Sequence, residues 1–223
     1  MSRNKKKTKV RTAKGRKSSS TRWLQRQLND PYIDMAEKQG YRGRAAFKLI
    51  EINDKLDFLK PGMTIIDLGA APGGWCQVAT QKKCNVIAID LLEIDEMPGV
   101  EFFKMDFMDD DAPDILKKAL NKQSVDGLAD AVISDMAPNT MGHKQTDHLR
   151  IMIVVEAAYY FAIEVLKPDG LFIAKVFQGG AQDTLLKEMK KHFTTVKHVK
   201  PPASRKGSAE QYVVATGFHK SEE

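Results

Sequence analysis

The 223-residue sequence has few cysteines, no long apolar run and, near its N-terminus, no acidic residue. Its two cysteines, Cys76 and Cys84, are too few for a disulfide framework and lack a CxxC spacing. No stretch reaches the roughly 20 apolar residues of a membrane span, and the N-terminus lacks the apolar core of a secretory signal. We therefore expect a soluble, cytoplasmic protein with two buried thiols and no membrane partner.

The first acidic residue of the chain is Asp30. Residues 1–22 hold ten of the 35 Lys and Arg residues, so the rest of the chain carries 25 basic against 29 acidic residues. The formal charge of +6 thus comes from this segment. A segment so charged and so poor in apolar side chains cannot bury enough surface to offset its chain entropy. We expect a disordered basic tail over residues 1–22 and one folded domain over residues 23–220.

The composition of the basic tail leaves its role open. It suits a solubilising segment, and it equally suits contacts with nucleic acid, because Lys and Arg gain affinity by releasing counterions from phosphates. A mitochondrial transit peptide is a third interpretation, although the segment is rich in lysine and has no apolar helical face.

Short β-branched runs alternate with longer helical patterns along the rest of the chain. Continuous runs rich in Ile and Val predict strands covered on both faces at 63–69, 85–90, 130–135 and 170–177. Helices are predicted between them at 42–58, 73–82, 112–121, 147–166 and 181–192. A weaker strand is predicted at 101–104, and a terminal pair at 195–200 and 210–218. This order predicts the α/β class with a doubly wound, Rossmann-like sheet.

A turn of small residues, 69–74, follows the first predicted strand and precedes a helix. Small residues let the backbone approach a ligand closely, and the new helix presents free N–H groups. Asp90 ends the next strand, where a carboxylate accepts hydrogen bonds from both ribose hydroxyls of a nucleoside. The dinucleotide-binding fingerprint G-x-G-x-x-G requires a glycine at the position that Ala71 occupies here. Its absence argues against a ligand that contains a pyrophosphate. We predict an adenosine-type ligand here, with an NAD-dependent oxidoreductase as the alternative.

Lys175 is the most informative charged residue, because it lies within the apolar strand GLFIAKVF. A lysine there is costly unless its charge is paired or its pKa is lowered. The alternative is a lysine near a strand end whose side chain reaches solvent. Lys48 lies off the apolar stripe of its helix, so the helix pattern alone makes it a surface residue.

Six sequence segments carry a resemblance to a known enzyme family. They are DLGAAPGGW, IAIDLL, MDFMD, SDMAPN, VLKPDGLFIAKVF and SAEQYVVATGF, and the similarity runs from about Trp23 to Phe218. In this order they resemble the FtsJ/RrmJ group of RNA ribose 2′-O-methyltransferases. The resemblance implies a class I methyltransferase fold, whose seven-stranded, mostly parallel sheet has an antiparallel last strand. It also implies S-adenosyl-L-methionine as cofactor and, as substrate, a uridine in 23S ribosomal RNA of the large ribosomal subunit.

The resemblance also implies roles for individual residues. The implied catalytic residues are Lys48, Asp135, Lys175 and Glu210, with Lys175 as the proton acceptor. The implied S-adenosylmethionine site comprises Gly69, Gly73, Trp75, Asp90, Asp106 and Asp135. Two of these assignments have plain alternatives, since Trp75 opens a helix and suits the core, and Asp106 lies among other loop acids. No metal ion is implied, and we expect a monomer.

Basic residues flank the implied catalytic residues at two places. Arg42 and Arg44 precede Lys48, and Arg205 precedes Glu210. Such clusters suit phosphate contacts, although charged loops are also ordinary solvated surface. We expect Arg42, Arg44 and Arg205 to bind RNA. A methyltransferase for tRNA or mRNA and a catalytically silent ribosome-assembly protein remain alternatives, and retention of all four implied catalytic residues argues against the second.

Overall fold

One mixed sheet of seven strands organises the chain. The computed structural model describes residues 8, 18–138, 142–178 and 182–220. The strands are β1 (Thr64–Leu68), β2 (Asn85–Asp90), β3 (Val100–Lys104), β4 (Ala129–Ser134), β5 (Leu166–Phe177), β6 (Phe193–Val199) and β7 (Glu210–Phe218). Their order is β3-β2-β1-β4-β5-β7-β6, and β7 is antiparallel to both of its neighbours, whereas the pairs from β3 to β5 are parallel. The predicted fold class is confirmed, including the antiparallel last strand.

Helices cover both faces of this sheet. They are α1 (Ser18–Gln27), α2 (Pro31–Gln39), α3 (Ala46–Leu56), α4 (Gly74–Gln81), α5 (Ala112–Gln123), α6 (Lys144–Val165) and α7 (Gln182–His192). The five predicted helices are confirmed as α3 to α7, with ends that differ by a few residues. Within the described part of the chain, no helix is long and apolar enough to cross a membrane.

Helix α2 was not predicted, although its ends have clear sequence signals. The Asp30 side chain accepts a hydrogen bond from the Tyr32 amide at 3.1 Å, and Pro31 takes the first helical position. The helix ends at Gly40, whose φ of 72° is left-handed. A hydrophobic pattern could not reveal α2, because Ala36 is its one buried residue.

Two large apolar clusters, one on each face of the sheet, form most of the core, and a small third cluster consists of Ala36, Phe47 and Ala203. In β1, Ile66 and Leu68 belong to the cluster under α5, α6 and α7, whereas Ile65 belongs to the cluster under α3 and α4. Successive side chains of a strand point to opposite faces, so a sheet covered on both sides needs apolar residues at every position. This is why the strands are continuous apolar runs in the sequence, with few charged residues such as Asp67 and Lys175 inside them.

The predicted boundary between tail and domain lies inside α1. This helix begins at Ser18, so residues 18–22, which the sequence analysis assigned to the tail, are helical. Nearer the N-terminus the structure describes Thr8, whose amide donates to Asn29 Oδ1 at 2.7 Å. The other residues of the predicted tail lie outside the described residues, and their disorder stays a prediction.

Candidate active site

The four predicted catalytic residues meet at one edge of the sheet. Asp135 follows β4, Lys175 lies near the end of β5, Glu210 begins β7, and Lys48 lies in the first turn of α3. The carboxyl ends of parallel strands share one edge of a sheet, and this is where β4 and β5 end. Because β7 runs opposite to β5, its first residue pairs with Phe177 at that same edge.

Asp135 lies at the centre of this group. Its Oδ1 is 2.8 Å from Lys175 Nζ and 3.5 Å from Lys48 Nζ, and Lys175 Nζ also donates to the Asp135 carbonyl at 2.5 Å. Burial alone would raise the pKa of Asp135, but the charges of Lys175 and Lys48 lower it below its usual value. Lys175 is only 8% exposed, so the alternative of a lysine that reaches solvent is wrong.

Glu210 holds Lys48 from the opposite side. Both carboxylate oxygens of Glu210 lie 3.0 Å from Lys48 Nζ, and Ser204 Oγ donates to Oε1 at 2.8 Å. Lys48 is 7% exposed, which corrects the surface position that its helix pattern alone indicated. The sequence analysis missed Ser204, because a serine in the loop before β7 gives no signal of its own.

Tyr212 is a further member of the site that the sequence analysis missed. Its hydroxyl donates to Asp135 Oδ1 at 2.5 Å, and its ring centroid is 5.7 Å from Lys48 Nζ. Burial raises the pKa of Tyr212 well above its ordinary value, and the neighbouring Asp135 and Glu210 add to the shift. The period of the strand could have found it, since Tyr212 follows Glu210 by two residues and pairs directly with Lys175.

The carboxylates of Asp90 and Asp106, which were predicted to bind the cofactor, both accept hydrogen bonds from backbone amides. Asp90 Oδ2 accepts from the Ala71 amide at 2.9 Å, and Oδ1 accepts from the Leu92 amide at 2.8 Å. The Asp90 carboxylate therefore links the small-residue turn to the end of β2. Asp106 Oδ1 accepts from the Met108 amide at 2.9 Å. Cofactor contact by either residue stays a prediction.

Gly69 and Gly73, also predicted for the cofactor, have φ values of 80° and 97°. A Cβ atom at Gly69 would lie 2.6 Å from Met136 Cγ and 2.9 Å from the Met136 amide nitrogen. A Cβ atom at Gly73 would lie 2.7 Å from Arg42 Nη1. Both glycines thus allow protein segments to approach closely, and at Gly69 the neighbouring segment is the one that carries Asp135.

Trp75 is a core residue that follows the small-residue turn and packs against Tyr212. It is 3% exposed, and its indole N–H donates to the Ala45 carbonyl at 2.9 Å. Its ring packs on Tyr212 with centroids 5.6 Å apart. The core alternative from the sequence analysis therefore describes its packing, and a direct contact with the cofactor stays a prediction.

Asp67, in β1, is a buried acid to which the sequence analysis gave no role. It is 1% exposed, its Oδ2 accepts from Cys76 Sγ at 3.2 Å, and its buried Oδ1 has no partner within the described residues. Burial raises the pKa of Asp67 to about 7, the bond from Cys76 opposes the rise, and Asp135 and Asp90 add to it. An orphaned carboxyl oxygen at this edge is an acceptor available to a polar ligand.

Arg42 is held beside the small-residue turn. Its guanidinium donates to three backbone carbonyls, those of Pro72 at 3.4 Å, Asp95 at 2.9 Å and Glu96 at 3.3 Å. It thereby fastens the small-residue turn to the segment that follows β2. RNA contact by Arg42 stays a prediction, and both of its Nη atoms already donate to backbone carbonyls.

Arg44 and Arg205 meet at a second place, on Asp30. Their Nε atoms lie 3.0 Å and 3.5 Å from Asp30 Oδ2. The structure thus brings two of the three predicted RNA-binding arginines together, and places Arg42 apart from them.

This arrangement can be compared with known proteins. Residues 41–218, most of the chain, match the family model described as FtsJ-like methyltransferase. The chain belongs to this family. The resemblance found in the sequence is confirmed, and with it the membership in a methyltransferase family rather than an oxidoreductase family.

Similar proteins carry names that agree with the family. The chain is 58% identical to ribosomal RNA large subunit methyltransferase E of Paramagnetospirillum magneticum, over 96% of this chain and 89% of that one. It is 56% identical to the protein of the same name from Rhodospirillum rubrum, over 94% and 80%. A Plasmodium falciparum crystal structure described as a ribosomal RNA methyltransferase is 32% identical, with a TM-score of 0.72 over 80% of this chain and 98% of that one.

The buried Asp67 predicts a pH dependence for the stability of this FtsJ-like methyltransferase. Its folded pKa of about 7 lies above the ordinary value of 3.8, so the folded protein keeps a proton that the unfolded chain releases. Stability from this group is therefore full below about pH 4 and is lost as the pH rises through 7. Relative to Asp67→Asn, the wild type should lose free energy of unfolding between pH 4 and 7 and then level off.

Chemical denaturation of both proteins across pH 4–9 measures this difference, and the groups that the two proteins share cancel in it. The same substitution at the exposed Asp126 is the control and should give parallel curves above pH 5. A difference between wild type and Asp67→Asn that does not vary between pH 4 and 8 would show that Asp67 titrates as an ordinary acid.

Proposed function

We propose that the chain uses S-adenosyl-L-methionine to methylate a ribose 2′-hydroxyl of ribosomal RNA in the large ribosomal subunit. The observation that carries the proposal is the buried contact of Lys175 with Asp135 at 2.8 Å, at the same strand edge as Asp90. The names of the relatives support the choice of ribosomal RNA. The proposal also includes a uridine of 23S RNA as the target, a cytoplasmic location, and a monomer that acts without a metal ion.

The strand ends beside β1 and β2 fit S-adenosylmethionine. Each oxygen of Asp90 accepts one backbone hydrogen bond and keeps a lone pair for a ribose hydroxyl. The orphaned Asp67 Oδ1 suits the ammonium group of the methionine part, directly or through water. When bound, the cofactor supplies a methyl group activated by its positive sulfur. The residues proposed to bind it are Gly69, Gly73, Trp75, Asp90, Asp106 and Asp135.

Lys175 is proposed to accept the proton of the ribose 2′-hydroxyl. A hydroxyl oxygen is a weak nucleophile unless a positioned group takes its proton during the reaction. Two contacts from Asp135 fix the place of Lys175 Nζ, and the Asp135 carboxylate stabilises the ammonium that forms there. Lys48 lies 3.5 Å from the same carboxylate oxygen, so two amines share one anionic partner.

Lys48, Glu210 and the arginines are proposed to position the RNA. Glu210 and Asp135 hold Lys48 Nζ between them, which fixes the position of its charge within the site. Arg44 and Arg205 lie close by in sequence, four residues before Lys48 and five before Glu210. Cationic side chains in such places suit the phosphates on either side of the target ribose.

Loss of the proton acceptor should abolish methylation. Mapping of 2′-O-methylated nucleotides in large-subunit ribosomal RNA should show one site that is modified in cells with the wild-type protein. The same site should be unmodified in cells that lack the protein or carry Lys175→Ala. A modified nucleotide in tRNA or mRNA instead would move the substrate to that RNA, and an unchanged pattern in all three strains would indicate a catalytically silent RNA-binding protein.

Single-turnover assays on undermethylated large subunits separate the chemical step from binding. We expect Lys175→Ala to slow methyl transfer about 100-fold or more, with S-adenosylmethionine affinity within threefold of wild type. Lys197→Ala, at an exposed position of β6, is the matched control and should behave as wild type. A rate for Lys175→Ala within tenfold of wild type would reassign Lys175 to substrate orientation.

Removal of the Asp90 carboxylate should weaken cofactor binding. Hydrogen bonds to a charged acceptor contribute about 1.5–3 kcal/mol, so Asp90→Ala should raise the dissociation constant for S-adenosylmethionine at least about tenfold. Isothermal titration calorimetry measures this constant without any RNA. Asp126→Ala, before β4 at the opposite edge of the sheet, should leave it unchanged, and an unchanged constant for Asp90→Ala would remove Asp90 from the site.

A further inference from the structure

Asp30 lies between the two arginines on the RNA side of the site. Its Oδ2 is 3.0 Å from Arg44 Nε and 3.5 Å from Arg205 Nε. The Asp30 side chain is only 8% exposed, whereas those of Arg44 and Arg205 are 19% and 34% exposed. The Asp30 carboxylate is thus more buried than the side chain of either arginine.

The fold fixes the position of the Asp30 carboxylate. Its other oxygen, Oδ1, caps helix α2 by accepting from the Tyr32 amide at 3.1 Å. One oxygen therefore belongs to the helix and the other faces the arginines. Because the capping bond fixes the carboxylate, the position of Asp30 determines where the two guanidinium groups lie when they pair with it.

A hydrogen-bond network ties the loop that carries Arg205 to the N-terminal helices. Glu51 in α3 accepts from the Tyr32 hydroxyl at 2.7 Å and from the Ala203 amide at 2.6 Å. The Arg44 guanidinium donates to the Ala203 carbonyl and lies over the Tyr32 ring, 5.8 Å from its centroid. The segments that carry the two arginines are thus linked to each other by hydrogen bonds through Glu51 and Ala203.

This network extends to Glu210, one of the four predicted catalytic residues. Ser204, next to Arg205, donates to Glu210 Oε1 at 2.8 Å. The charge of Arg44 also reaches the site: burial raises the pKa of Tyr212, and Arg44 opposes that rise. A phosphate held by the arginines would therefore lie beside the residues that surround the reacting ribose.

The charge balance of this cluster favours an anionic ligand. Arg44 and Arg205 share the one carboxylate of Asp30, and the nearby Glu51 carboxylate already accepts from the Tyr32 hydroxyl and the Ala203 amide, so among the three charged groups in contact one positive charge is in excess. The carboxylate faces the Nε atoms, and guanidinium groups also offer Nη donors that match two phosphate oxygens at once. The exposed parts of Arg44 and Arg205 supply such donors to a group that approaches from solvent.

We propose that Asp30 is a positioning residue that holds Arg44 and Arg205 together as a clamp for one RNA phosphate next to the methylated ribose. The inference rests on the proposed function for the identity of the RNA. It goes beyond that function by assigning a role to an acidic residue that would itself repel RNA.

The substitution Asp30→Asn distinguishes the proposed role of Asp30 in the clamp from its role as a helix cap. Asparagine caps helices as well as aspartate, so α2 keeps its bond to Tyr32 while the arginines lose their anionic partner. The change adds one unit of positive charge, which by itself would strengthen RNA binding. We expect the reverse, a dissociation constant about fivefold higher, because two unpaired guanidinium groups repel each other and no longer meet the phosphate together.

Fluorescence anisotropy of a labelled ribosomal RNA fragment measures this constant without methyl transfer, so a failure of the proposed activity would not obscure the result. Asp126→Asn is the matched control, since it adds the same charge at the opposite edge of the sheet and should not weaken binding. S-adenosylmethionine affinity of Asp30→Asn, which a general loss of structure would lower, should stay within twofold of wild type.

A double-mutant comparison decides whether Asp30 acts through the arginines. In the Arg44→Ala/Arg205→Ala protein, addition of Asp30→Asn should change the RNA dissociation constant by less than twofold. The proposal is supported if Asp30→Asn weakens binding at least twofold relative to Asp126→Asn and this loss disappears without the arginines. It is overturned if the loss is smaller, if it persists without the arginines, or if S-adenosylmethionine affinity falls with it.

Discussion

One carboxylate, that of Asp135, is the constraint on which the rest of the site depends. Its Oδ1 faces two buried lysines and the hydroxyl of Tyr212 within 3.5 Å. An uncompensated buried charge is costly, so Lys175 and Lys48 can lie in the core only where an anion meets them. Of the two lysines, Glu210 contacts Lys48, whereas Asp135 contacts both.

The antiparallel last strand explains how these residues come together. A parallel β7 would begin at the opposite edge of the sheet, far from the end of β5. Running the other way, it delivers Glu210 and Tyr212 to the edge where Asp135 follows β4. Gly69 contributes from β1, because its missing side chain lets the segment after Asp135 pack against the turn. The residues proposed to bind the cofactor and those proposed to act in catalysis thus lie at neighbouring strand ends of one sheet.

Much of this arrangement could be predicted from the sequence, and the limits have a physical cause. Strands covered on both faces are continuous apolar runs, so their places were clear, and a lysine inside such a run marked Lys175. Tyr212, Ser204 and Asp30 were missed because their roles depend on partners distant in sequence or on the fold of a loop. A tyrosine, a serine or a helix-capping aspartate is common in proteins for purely structural reasons. Only its contacts in the folded protein show that it also belongs to the site. Arg42 is the opposite case, because the sequence predicted RNA contact for it, whereas in the structure both of its Nη atoms donate to backbone carbonyls.

The central role of Asp135 is tested most directly by a double-mutant cycle on the single-turnover rate, with excess enzyme and long incubation to reach slow rates. The variants are Asp135→Asn, Tyr212→Phe and the two combined. If the Tyr212 hydroxyl acts only by holding the Asp135 carboxylate, Tyr212→Phe should slow the wild type but not the Asp135→Asn protein. Losses that multiply in the double variant would contradict the account, because Tyr212 would then act on the reaction independently of Asp135.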